Sequence, residues 1–104
     1  MIQAVFEKKN GRFCGVTIEG HAGYADAGED VVCASVSSAV QLTSNLITDT
    51  FREKAKVTVQ DDLISIRLKE NRGNASAILN GLCDHLRYLS EDYPGTISIK
   101  ILEV

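Results

Sequence analysis

The chain has 104 residues, 44% of them hydrophobic, which suits a single globular domain spanning residues 1–104 and leaves no room for a second core. A formal net charge of −3 gives no field to draw a phosphate backbone, so direct nucleic-acid binding is not expected. The sequence lacks both an unbroken apolar run of about 18 residues and the apolar stretch of a signal peptide at its start, so a cytoplasmic protein without membrane contact is expected.

In chain order, Ile2 to Glu7 and Arg12 to Glu19 read as strands, with Ile2, Ala4 and Phe6 alternating in the first and Cys14, Val16 and Ile18 in the second. Asn10-Gly11 between them suits a tight hairpin, because both residue types accept positive φ. The stretch after Glu19 holds Gly20, Gly23 and Gly28 among small residues, and residues 22–29 are predicted to form a mobile lid. Asp30 suits an N-cap, followed from about Val31 to Phe51 by a helix with Val32, Val36, Ala39, Val40, Thr43, Leu46 and Ile47 on one face. On the same helix Ala34, Ser35, Ser37 and Ser38 are small enough for another backbone to approach.

Lys56 to Gln60 and Leu63 to Lys69 read as a second hairpin around Asp61-Asp62. Asn74 is then the expected cap of a second helix that carries Ala75, Ile78, Leu79, Leu82, Leu86, Leu89 and Tyr93 at helical spacing. Pro94-Gly95 ends it, and Thr96 to Leu102 closes the chain as a strand. The order β-β-α-β-β-α-β predicts an α/β (α+β) two-layer sandwich, about five strands with both helices on one face.

Three cysteines, an odd number with no C-x-x-C spacing, are expected to be thiols rather than a disulfide framework. Cys14 and Cys83 fall on apolar faces and read as core. Cys33 is expected in the first helical turn, where unpaired N–H groups and the positive end of the helix dipole stabilise a thiolate. His21 is its candidate base, since base and nucleophile meet in space rather than in sequence. Asp30, Cys33 and Ser37, spaced three and four apart, share a stripe of the helix.

Each residue also has a plainer role available. A helical cysteine is commonly a small buried hydrophobe, a loop histidine is commonly only solvated, Asp30 is fully accounted for as a cap, and Ser37 as a small polar residue. The glycine-rich stretch matches neither G-x-x-x-x-G-K-[ST] nor G-x-G-x-x-G, so it gives no phosphate site. Cys83 and His85 lie two apart, on different helix faces, and form no metal-ligand pair.

Gly20-His21-Ala22, Gly28, Asp30-Val31-Val32-Cys33-Ala34 and Val36-Ser37 together resemble the ribosomal-processing cysteine protease family, Prp, and the likeness runs over essentially the whole chain. Only Val31, where isoleucine is common, and Ser35, where alanine is common, depart from the pattern. The resemblance implies a homodimeric bacterial enzyme that removes an N-terminal extension from the precursor of large-subunit ribosomal protein twenty-seven. By position it makes Cys33 the nucleophile and His21 the general base, with Gly20, Asp30 and Ser37 supporting the site. It implies no cofactor and no metal. Unpaired N–H groups at the helix start would then stabilise the oxyanion. The competing expectations are a non-catalytic ribosome-assembly binding module and a structural dimerisation protein, and thiol reactivity separates both from a protease.

Overall fold

A computed structural model describes residues 1–20, 27–70 and 73–104, with the backbone alone over 27–30. Asn10 and Gly11 take positive φ, 55° and 77°, so the chain reverses within two residues and pairs β1 (Ile2–Lys9) with β2 (Arg12–Glu19) antiparallel. A helix, α1 (Ala27–Asn45), runs on into a π-helical turn over Leu46–Thr50. The second hairpin, β3 (Ala55–Gln60) and β4 (Leu63–Leu68), pairs through β4 with β2. The long helix α2 (Asn74–Asp92) then returns the chain so that β5 (Ile97–Glu103) lies parallel to β1. The result is one mixed five-stranded sheet in the order β3-β4-β2-β1-β5, with β3 and β5 at its edges.

Register explains why one face is buried. Phe6 stands opposite Val16, Val16 opposite Ile66 and Ile66 opposite Val57, while Ala4, Ile18, Ile64 and Val59 form the next row. These side chains point the same way because strands alternate with period two. Val32, Val36, Val40 and Ile47 of the first helix and Leu79, Leu82, Cys83 and Leu86 of α2 pack onto them in one core. Phe6, Ile47, Ile66, Leu79 and Leu86 are fully buried, each contributing about 2 kcal/mol of transfer free energy. The opposite face carries Gln3, Glu19, Lys56, Arg67 and Lys100, all exposed, and Arg67 pairs there with Glu7 at 2.9 Å. Residues 31–50 are long and apolar enough, at mean hydropathy 1.3, to span a membrane by length and composition. In the fold Val32, Val36, Val40 and Ile47 of that stretch pack into the core, while Val31 and Leu42 are exposed.

Four local expectations are corrected. The helix begins at Ala27, so Asp30 is its fourth residue rather than its cap. Alanine is the best helix former, which favours a helix start at Ala27. Cys14 does not continue the alternation of Val16 and Ile18. A register shift at Glu7/Lys8 leaves it as the extra residue of a bulge, half-buried with its thiol donating to the Glu7 carbonyl at 3.5 Å, and Phe13 turns inward instead, edge-on to Phe6.

Asn74 is the first residue of α2, not its cap. The cap is Gly73, at φ +82°, and the Asn74 N–H is satisfied by Glu53 Oε2 at 3.0 Å, a partner from across the chain. A Cβ at Gly73 would collide with that same carboxylate. Finally, the first helix does not stay α-helical to Phe51, since the Phe51 N–H donates to the Leu46 carbonyl at 2.9 Å, five residues back. The expected lid, residues 22–29, lies outside the described residues over 22–26, and its last residues, 27–29, open the helix.

Candidate active site

A cleft of about 290 Å³ opens between α1 and the tip of the β3–β4 hairpin. The helix contributes Cys33 and Ser37, one turn apart on one stripe, with Val36 and Val40 beneath them. The sheet contributes Ile2, Ile18 and Gly20, and the hairpin contributes Val59, Gln60, Asp61, Asp62, Leu63 and Ile64. Cys33 is half-buried against the core and Ser37 is exposed, so the cysteine is anchored on one side and open to the cleft on the other.

The structure therefore brings together three of the residues singled out in the sequence, Gly20, Cys33 and Ser37. His21 follows Gly20 directly but lies outside the described residues, as does the side chain of Asp30. The hairpin wall was invisible in the sequence, where Asp61-Asp62 read only as a turn. Its place in the cleft comes from pairing between β2 and β4, whose partners are 44 to 52 residues apart along the chain, for which local pattern holds no signal.

Cys33 is the seventh residue of α1 instead of a first-turn residue. Helical geometry commits its N–H to the carbonyl four residues back, so this N–H is not one of the four orphan donors at the helix start. The dipole effect fades beyond the first turn, which shifts the task of forming the thiolate from the helix end toward a neighbouring base.

Gly20 holds the strand end in a conformation that only glycine accepts without strain. It sits at φ +91°, its N–H donates to the Asp62 carbonyl at 3.1 Å, and a Cβ would stand 2.8 Å from the Met1 carbonyl oxygen. One residue thus ties together the start of β1, the hairpin tip and the chain leading to His21. Gly20→Ala is expected to lower stability by roughly 1–3 kcal/mol. Urea unfolding checks this, and an unchanged value would show that the strand end absorbs a side chain.

The other thiols are placed differently. Cys83 is buried within α2, and burial raises its thiol above the usual range, with Arg87 opposing in part. Cys14 donates to the Glu7 carbonyl at the other end of β2, among the residues around Arg67 and Leu68. A wider apolar groove of about 820 Å³ runs between the outer faces of the two helices, past Val31, Leu42, Ile78 and His85. It contains no cysteine. Among the described residues no three His, Cys, Asp or Glu side chains gather as a metal-ligand set.

A small mixed sheet covered on one side by two helices thus places a helical thiol, Cys33, in a cleft at the sheet's end. The family model described as cysteine protease Prp matches residues 1–98, and the chain belongs to that family. Among solved structures it is similar to SMU.848 from Streptococcus mutans, with 25% identity over 100% of this chain and 96% of that one, at a TM-score of 0.86. It is similar as well to the essential ribosomal processing protease Prp from S. aureus, solved with a covalently linked product peptide, with 25% identity over 97% of this chain and 99% of that one, at a TM-score of 0.88. A search of curated protein sequences finds no match.

Proposed function

We propose that this protein is a cysteine endopeptidase that removes the N-terminal extension of large-subunit ribosomal protein twenty-seven, acting in the cytoplasm. The observation that carries the reading is the half-buried Cys33 thiol in a cleft shared with Gly20, within a family of ribosomal processing proteases. Cys33 attacks the scissile carbonyl carbon as thiolate, and His21, protonated by the thiol, gives that proton to the departing amine. A thioester to Cys33 remains. His21 then takes a proton from water, whose oxygen attacks the thioester and releases the acid, returning thiol and neutral imidazole. Ser37, one turn from Cys33 on the same helix, and Asp30 are the residues that support the site, as the family resemblance implies. Co-incubation with the host's own extended ribosomal protein, read by the mass of the trimmed product, tests the reading. Retention of the intact substrate in a stable complex would favour a binding module instead.

The active form is taken to be a homodimer, as the family resemblance implies. The outer groove supports this, since Leu42 and Val31 stand 60% and 50% exposed on a continuous apolar surface. Leu42→Glu is expected to shift the protein to monomer in sedimentation while leaving its melting temperature within a few degrees of wild type, because the replaced side chain is exposed. A wild-type monomer at tens of micromolar would remove the dimer.

A further inference from the structure

We infer that substrate is held by the free edge of β3, as a sixth strand of the sheet that carries the scissile bond into the cleft. The inference rests on the reading of Cys33 as the nucleophile. Among the described residues β3 pairs with β4 only, and the order β3-β4-β2-β1-β5 leaves its other side at the sheet's edge. The Lys69 N–H donates to the Lys54 carbonyl at 3.1 Å, which makes these two a hydrogen-bonded pair just beyond the strands. Antiparallel pairs alternate between hydrogen-bonded and non-hydrogen-bonded. Counting along the observed register from that pair, Lys56, Thr58 and Gln60 bond to β4, whereas Ala55, Val57 and Val59 direct their N–H and C=O groups away from it.

Two further observations make this edge a peptide site. Val57 and Val59 are exposed apolar residues, Val59 at 71%, on the same face of the sheet as the core. Val59 and Gln60 also line the cleft that holds Cys33, so the outward-facing main chain runs directly into the candidate catalytic cleft. An extended peptide beside β3 would exchange hydrogen bonds with Val57 and Val59, and its alternate side chains would drop toward the apolar floor made by Ile18, Val40 and Ile64. Main-chain pairing supplies affinity without regard to sequence, and the floor supplies selection. A protease that must hold an extended terminal segment has its binding strand already formed.

The test uses the full chain as Cys33→Ala with a synthetic peptide spanning the host's ribosomal-protein extension. Amide exchange resolved by residue is expected to slow about tenfold or more at Val57 and Val59 on peptide addition, and to change little at Thr58, already bonded to β4. In parallel, Val57→Pro removes an outward N–H and spares the ladder. It is expected to lower kcat/KM by roughly tenfold, with the rate of Cys33 alkylation unchanged. If wild type cleaves the peptide while exchange at Val57 and Val59 is unaltered, the edge proposal falls and the protease reading stands. If the two amides are protected but wild type leaves the peptide whole, the nucleophile reading falls and the edge stands. Protection that appears without peptide and grows with protein concentration would assign the edge to a second copy of the chain and overturn the proposal.

Discussion

Cys33→Ala is expected to abolish cleavage and to leave the protein folded. The packing around this position is carried by its neighbours Val32 and Val36, both buried, while the cysteine itself is half-buried and gives up only one sulfur. The expected cost is therefore about 1 kcal/mol, a shift of a few degrees in melting temperature. The chemical cost is total, because no other cysteine lines the cleft and a methyl group cannot form the acyl intermediate. Cys33→Ser is expected to lose nearly all activity as well, since a hydroxyl next to the same base stays protonated where a thiol ionises. The mass of the substrate's N-terminus after overnight incubation, alongside a thermal melt of each variant, reads both halves of the prediction. Trimming by the alanine variant, in a preparation free of contaminating protease, would place the nucleophile elsewhere.

What the sequence made legible and what it hid divide along the range of the interactions. Asn10-Gly11 announced the first hairpin because positive φ at two successive positions is a local demand of the turn. The second helix was equally plain, since Leu79, Leu82 and Leu86 recur at its period and pack as that period requires. Cys14 was misread because a bulge is decided by two strands at once, and alternation along one strand cannot reveal it. The cap of α2 failed for the same reason: Asn74 had the right chemistry, but Glu53 reached it first from 21 residues away.

At the site, the pairing of Cys33 with Ser37 followed from helical spacing alone. The wall of the cleft did not, because Val59, Asp61 and Asp62 reach it through strand order. The true start of the helix had the largest chemical consequence. Asp30 drew the boundary four residues too late, and with it went the expectation that first-turn N–H groups and the helix dipole help to hold Cys33 as a thiolate.

That displacement sharpens the second prediction: iodoacetamide near neutral pH modifies Cys33 well before Cys14 or Cys83, and His21→Ala slows the reaction at Cys33. Cys83 is excluded by burial, which both blocks access and raises its thiol above the usual range. Cys14 is engaged with the Glu7 carbonyl, in a half-buried bulge at the far end of its strand. Cys33 has an open side to the cleft, and with the helix start more than a turn away, the proposed pairing with His21 is what would draw off its proton. His21→Ala should therefore reduce the alkylation rate at pH 7 by at least roughly tenfold. Mass mapping of the labelled residue at several pH values, in wild type and in His21→Ala, decides each point. Earlier labelling of Cys14 or Cys83 would mean the active site is misplaced, and an identical pH profile in the two proteins would mean that Cys33 and His21 are not paired before substrate arrives.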